Sequence, residues 1–397
     1  MANRITPPCG KVRQLKSFAR QVLDDFTQFL FLATNKNVIV HIGHFSKGKA
    51  MTGNVGDPLL FYELENLFNT ISGKEYAWYH RSILRRISKF EIWCWNHFAK
   101  GLIVGGHGLL MVDTGRNENS GWQLNVSLQE LKTIRCPLAI LAIGYNTFRG
   151  QEDFNPVFRP HINECVKKSV VFGLRNYGSI RALSDYLDEE NRRKICFQPC
   201  PTTMLSLYEK LPLVERRKSI GICLAFDRFE NRFGNSFDSV VNQLVKYKES
   251  WNSKGYEIIF FVHNPTDLKT EYAKAIAQKG VEILSISGQT YEQIFEFYMA
   301  KTLIVGMRGH SLMIPWGLGT PVISLTTQNK QKWFIEITGH NERSIEVEQE
   351  DILKPLNQQT THIIANYNEV VDEIKEKQKE FYSITRDNFS KVCKAMQ

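Results

Sequence analysis

The stretch GMRGHSLMIPWGLGTPVISL, Gly306 to Leu325, sets an arginine and a histidine between two apolar runs. TLIVG reads as a buried strand and HSLMIPWGLG as a short helix, so Arg308, Gly309 and His310 fall in the turn between them. Three features there favour an anion: a guanidinium fork, an imidazole able to carry charge, and the positive end of a helix. The plain alternative is an Arg308 that ties two parts of the fold together. GLRNYGS, from Gly173, puts Arg175 at the carboxyl end of an earlier strand. A guanidinium buried there without a partner is costly, so Arg175 is either paired internally or faces an anion.

Two further loops carry chemistry. In GGHGLL, Gly105 and Gly106 let backbone approach a ligand closely. His107 beside them either donates to an anion, acts as acid or base, or simply tolerates an unusual backbone angle. In GNVGD, Asn54, Gly56 and Asp57 precede Pro58, a good first helical residue. Asp57 is either a helix cap or a carboxylate that meets a polar ligand together with backbone N–H groups. Just upstream, Gly43 to Lys49 matches the start of a phosphate-binding G-x-x-x-x-G-K loop, but Ala50 follows, without the hydroxyl that would hold magnesium. Nucleotide hydrolysis is therefore not expected.

These loops need a scaffold, and the pattern supplies one. Short apolar runs such as NVIVHIG, GLIVGG, CPLAILAIG and SVVFGL alternate with amphipathic stretches such as PLLFYELENLFNTI and SIRALSDYLDEENRR, the latter with Ser179 as cap. A proline-rich passage near residues 198–212 precedes a second series: SIGICLAFD, YEIIFFVHN, VEILSI, TLIVGM and TPVISL, again with helices between them. Alternation of this kind predicts parallel strands with crossover helices. We expect an α/β protein of two Rossmann-like domains facing across a cleft, residues 1–205 and 206–397, the second ending in a charged helix.

The totals agree. A chain of 397 residues suits two domains, and 43% hydrophobic with 23% charged residues is ordinary for a globular protein. The net charge of +9 attracts anions, yet no dense Lys/Arg run or nucleic-acid motif is present, so nucleic acid is not expected as a partner. Eight scattered cysteines, with only Cys196 and Cys200 close together, fit reduced thiols in a cytoplasmic setting and no zinc site. FTQFLFLAT is too short to span a membrane. Leu15, Phe18, Val22, Phe26, Phe29 and Leu30 recur at helical spacing behind Lys11, Arg13, Lys16 and Arg20. That helix either packs on the body or rests on an anionic membrane, at the inner membrane face.

Taken in order, the loops resemble the polysaccharide pyruvyl transferase family over residues 38–334. GNVGD is similar to its Asn-x-Gly-Asp motif, and GGHGLL to its triple-glycine turn with His107 in the third place. LRNYGS resembles its Arg-Asp-x-x-Ser motif through Arg175 and Ser179, with Asn176 for aspartate. MRGHSLMIPWGLGTPVI matches Met-Arg-Leu-His followed by an apolar helix, with Gly309 for leucine; Lys330 ends TTQNK where the family carries a lysine. Cys200 stands where aspartate is usual.

The resemblance implies a GT-B-like fold and transfer of pyruvate from phosphoenolpyruvate to two hydroxyls of a sugar, forming a cyclic ketal. It implies phosphoenolpyruvate held by Arg175, Arg308 and His310, with His310 the leading catalytic residue and Asp57 or His107 the base. Gly309, Asn54, Gly56, Gly105, Gly106, Ser179 and Lys330 complete the expected binding set. No cofactor or metal is expected, with phosphoenolpyruvate as donor substrate and a sugar acceptor, lipid-linked among the options. The rivals are a nucleotide-sugar glycosyltransferase of the same architecture and a non-catalytic glycan-binding member.

Overall fold

The computed structural model describes the backbone of residues 10–45, 51, 53–148 and 150–397, and side chains from Val22 onward. Residues 46–50 of the G-x-x-x-x-G-K stretch, and the side chains of the N-terminal basic cluster, lie outside the described residues.

The apolar runs become strands. β1 (Val38–Gly43), β2 (Ala77–Ser82), β3 (Gly101–Gly105), β4 (Leu138–Ile143), β5 (Ser169–Leu174) and β6 (Ile195–Phe197) form one sheet in the order β2-β1-β3-β4-β5-β6. β7 (Ser219–Leu224), β8 (Glu257–Val262), β9 (Ile283–Ser285), β10 (Leu303–Gly306), β11 (Val322–Thr326) and β12 (Ser344–Glu346) form a second, ordered β12-β11-β10-β7-β8-β9. All pairings are parallel. Every residue of β1, β3, β4, β7, β10 and β11 is buried. That is why these strands are continuous apolar runs: helices cover both faces of each sheet.

The helices that matter for the site are α1 (Gly10–Thr34), α2 (Gly56–Ser72), α3 (Lys89–Phe98), α4 (Tyr177–Ser184), α5 (His310–Gly317), α6 (Asn329–Thr338) and α7 (Tyr367–Ala395). The helix expected in one piece over Ser179–Arg193 is broken. Asn176 caps α4 by accepting the Ser179 N–H at 2.8 Å, and Asp188 caps a separate turn, Glu189–Arg192, by accepting the Asn191 N–H at 2.9 Å. Ser179 is therefore the third residue past the cap, not the cap.

α7 crosses back to the first sheet. Asn388 donates to the Phe197 carbonyl at 2.9 Å, and the Phe389 ring lies 5.2 Å from that of Phe68 on α2. One turn earlier, Gln198 donates to Thr385 at 3.0 Å, and further up Gln378 donates to the Trp316 carbonyl of α5 at 2.7 Å. The sequence division at 205/206 counts this helix with the second unit; its side chains join both units and the linker between them.

In each sheet the chain reverses direction at one place. In the first it is between β1 and β3, in the second between β7 and β10. Crevices outside the carboxyl ends of strands at such points hold ligands in open α/β sheets. Here the two crevices open on one shared cavity.

Candidate functional site

The cavity encloses about 450 Å³. Its first wall comes from the loops after β1, β3, β4 and β5, and its second from those after β7, β8, β10 and β11. Asn54, Asp57, His107, Arg175, Arg308, Gly309, His310 and Lys330 all line it. Sequence reasoning missed His44, Asn146, Asp227, Arg228 and Asn264, which line it too. Each follows the carboxyl end of a strand.

On the second wall, charge is balanced. Arg308 reaches Asp227 and Asp267, each at 2.7 Å, and its turn is closed by the Ser311 hydroxyl, which donates to the Arg308 carbonyl at 2.9 Å. Arg232 holds the same Asp227 at 2.9 Å, and Arg228 holds Asp113 of the first wall at 2.6 Å. Burial pushes the Asp227 carboxyl up, but Arg232, Arg308, Lys330 and Arg228 outweigh it and hold it well below the usual carboxylate range. Three arginines thus meet three aspartates. The internal pairing that sequence reasoning weighed for Arg175 is found at Arg308 instead.

Arg175 is the opposite case. Its side chain is 3% exposed, packed against Gly144, where a Cβ would stand 2.4 Å from its Nε. Among the described residues its guanidinium has no hydrogen bond or ion pair, and its Nε is buried without a partner. Burial pulls its pKa down. Lys330, half-buried in the first turn of α6, makes no ion pair among the described residues, and burial together with Arg175 and Arg232 pushes its pKa well down, against the pull of Asp227. A buried cation with no acid is held at a cost of several kcal/mol unless an anion completes it.

Between the walls sits an imidazole–carboxylate group. Gly56 opens α2 against the His310 ring so closely that a Cβ would lie 2.3 Å from it, so only glycine fits. This brings Asp57 Oδ1 to 4.0 Å from His310 Nδ1, while His310 Nε2 is buried without a partner. Burial pushes the His310 pKa well below its ordinary value, against the pull of Asp57. Asn54 donates to Asp57 Oδ2 at 2.9 Å. Burial raises the Asp57 pKa, but His107, His310, His44 and Asn54 more than offset this and leave it lowered.

His107 occupies a left-handed backbone position, φ 72°. Burial pulls its pKa down to about 4, so at neutral pH it is uncharged. Its Nε2–H donates to the Asp57 main-chain carbonyl at 2.8 Å, the shorter of its two carbonyl contacts, which braces the first turn of α2; Nδ1 lies 3.3 Å from the Gly105 carbonyl.

Four expected residues stand behind the wall. A Cβ at Gly105 or Gly106 would strike Leu64 or Leu60 of α2 at 2.6 and 2.8 Å, so these glycines seat that helix. Gly56 seats His310, and the Ser179 hydroxyl accepts the Tyr145 N–H at 3.1 Å. Gly309 differs: it has helical dihedrals and room for a side chain, its nearest neighbours being Lys330 and Met313 at 3.9 Å. Among the described residues, no three His, Cys, Asp or Glu side chains group as metal ligands.

The profile of the polysaccharide pyruvyl transferase family matches residues 54–329. No curated protein matches the chain. Among solved structures, a Listeria monocytogenes protein described as a UDP-N-acetylglucosamine 2-epimerase is 13% identical, with 86% of this chain and 91% of that one covered and a TM-score of 0.52. The UDP-GlcNAc 2-epimerase of Methanocaldococcus jannaschii, in complex with UDP-GlcNAc and UDP, is 12% identical, covering 81% and 92%, with a TM-score of 0.47. A chain of the accessory secretory protein 1, 2 and 3 structure from Streptococcus pneumoniae is 15% identical with a TM-score of 0.45; 77% of this chain is covered, and it spans 56% of that chain's length. At such identity the likeness to the Listeria structure shows the fold alone, two α/β units in a GT-B-like arrangement.

Proposed function

Because the chain belongs to the polysaccharide pyruvyl transferase family, and so is a transferase of polysaccharide modification, we propose that its cavity transfers pyruvate from phosphoenolpyruvate to a sugar of a glycan or glycolipid intermediate. The observation that carries this reading is the buried, unpaired Arg175 in one cavity with Lys330, which makes no ion pair, and the unpartnered Nε2 of His310. Phosphoenolpyruvate brings a phosphate and a carboxylate, and a guanidinium binds either as a fork. Arg308, held by its two aspartates, presents one edge to the same ligand.

The steps follow from the positions. The arriving phosphate dianion raises the His310 pKa, so the imidazole takes up a proton. His310 delivers it to the methylene carbon, and positive charge develops at C2. A sugar hydroxyl attacks C2 while Asp57 accepts its proton, a carboxylate with a lowered pKa being ionised and ready at neutral pH. The C2–O bond to phosphate then breaks, and the phosphate leaves toward Arg175 and Lys330. The second sugar hydroxyl closes on C2 and gives its proton to the departing phosphate, leaving a cyclic ketal with a methyl and a carboxylate. His107 holds the Asp57 backbone and takes no part in the proton transfers.

The test is an incubation of the purified protein with phosphoenolpyruvate and a panel of defined glycosides. Acceptor-dependent release of inorganic phosphate, with the mass of a pyruvyl group added to the glycoside, supports the reading. Turnover of nucleotide sugars in place of phosphoenolpyruvate would overturn it.

A further inference from the structure

A second feature lies away from the cavity, on the outer flank of the first sheet. α1 and α3 pack side by side there, with the Phe29 ring 6.4 Å from Phe90 and 5.8 Å from Phe98. Both helices turn apolar residues outward. On α1, Val22, Leu23, Phe26 and Leu30 are all exposed, up to 63% at Leu23. On α3, Phe90, Trp93 and Phe98 are exposed, and their rings form one cluster, Trp93 lying 5.9 Å from Phe90 and 5.8 Å from Phe98. Seven large apolar side chains on two adjoining helices make a patch of the kind that marks an interaction surface.

The charges lining the adjoining depression have one sign. A depression of about 410 Å³ beside Trp93 is lined by Lys89, Lys132 and Arg135, all exposed. None of the three has an ion pair among the described residues. The acids of the same elements are tied down: Asp24 by Arg85 at 2.5 Å, Glu91 by Arg81 at 2.5 Å and Glu130 by Arg86 at 2.7 Å, while Asp25 accepts from the Ser88 hydroxyl at 3.4 Å. An aromatic cluster rimmed by free cations is the composition that settles at a lipid–water boundary. It does not suit a second copy of the chain, because a two-fold contact there sets the same lysines and arginine near their own images with no free acid to answer them.

We propose that the α1–α3 face docks on an anionic membrane, its aromatics entering the headgroup layer and Lys89, Lys132 and Arg135 engaging lipid phosphates. No helix among the described residues is long and apolar enough to cross a membrane, so this is surface contact. The inference does not depend on the donor reading.

The test is sedimentation of the whole chain with vesicles of phosphatidylcholine alone or mixed equally with phosphatidylglycerol. Binding to the mixed vesicles, absent with phosphatidylcholine and reversed by salt, is expected. The triple variant K89E/K132E/R135E loses on the order of a hundredfold in partitioning, from the typical contribution of each basic residue near an anionic surface. Trp93→Ser weakens binding about tenfold while its melting curve stays that of the parent. Wild-type protein left in the supernatant with both vesicle types overturns the proposal. So does binding that neither variant changes, or a solution dimer that Trp93→Ser dissociates.

Discussion

The two walls of the cavity handle charge in opposite ways. On the second wall Arg308, Arg232 and Arg228 are matched by Asp227, Asp267 and Asp113 before any ligand arrives. On the first, Arg175 is buried alone, and the carboxylate of Asp57 faces imidazoles. A matched buried pair holds the fold, and breaking it leaves a bare charge. An unmatched buried charge works against the fold and is completed by a ligand. The arginines of the second wall thus serve rigidity, with Lys330 its cation outside the ion pairs, while Arg175 of the first wall is left for a ligand.

The most severe break comes at the one side chain pinned between the walls. His310→Ala is expected to lower turnover by on the order of a hundredfold to ten-thousandfold, the usual worth of a positioned acid or base, while thermal unfolding stays near that of the parent. Retained turnover in steady-state assays would remove His310 from the chemistry. Calorimetric titration with phosphoenolpyruvate, in buffers of different ionisation enthalpy, sharpens the point: uptake of about one proton per donor is expected as bound anion raises the imidazole pKa.

Arg308→Ala and Arg175→Met set the walls directly against each other. Loss of Arg308 leaves Asp267 without its cation and should destabilise the protein by about 3–5 kcal/mol in denaturant unfolding. Arg175→Met should leave stability unchanged or raised, yet weaken donor binding by about 1.5–3 kcal/mol, the worth of a hydrogen bond to a charged group. Equal destabilisation by both variants would erase the distinction drawn here.

Acid reaches the buried histidines before the paired carboxylates. His107 titrates at about 4 in the folded protein, against an ordinary value of 6.5, because burial disfavours its charged form. A depressed folded pKa gives stability that is whole above pH 6.5 and is lost as pH falls toward 4, about 3 kcal/mol in all. Asp227, held below the usual carboxylate range, gives up its contribution only below its unfolded pKa, near 3.8. Melting temperatures followed down the pH scale should therefore fall first with the buried histidines of both walls, His107, His310 and His263 just after β8, and later with Asp227. His107→Asn should lessen the fall between pH 6.5 and 4.

The smallest effect belongs to the bridge between the walls. Arg228 donates to Asp113 and to Thr114 at 2.7 Å, with its guanidinium 4.9 Å from the Phe148 ring. Both partners are a quarter to a third exposed, so Asp113→Asn should cost under about 1 kcal/mol of stability. Its measurable sign should be faster donor release in stopped-flow mixing.

The sequence made some of this visible and hid the rest for physical reasons. β1, β3, β4, β7 and β10 were legible because burial on both faces writes an uninterrupted apolar run. β2, with AWYHRS, was not: it is an edge strand, half-buried, and its His80 and Arg81 answer Glu65 and Glu91 in space. β6 and β12 are three residues each, too short for any period. Within the site, Arg308, His310, Arg175 and Asp57 stood out because a charge beside an apolar run is anomalous. Asp227 and Arg228 did not, since DRFE following SIGICLAF looks like an ordinary strand exit. Only the reversal between β7 and β10 gives that exit its place in the cavity. The contrast between Arg308 and Arg175 was beyond the sequence altogether, because it depends on Asp267, 41 residues from Arg308 in the chain.

The return of α7 to the first sheet also orders events in time. A ribosome delivers residues 38–197 long before residues 367–395. Until the latter emerge, Phe68 of α2 has no Phe389 against it, and the Phe197 carbonyl has no Asn388. The amino-terminal half therefore waits, partly bare, for residues 367–395, and a nascent protein of this design needs shelter at that surface until they emerge.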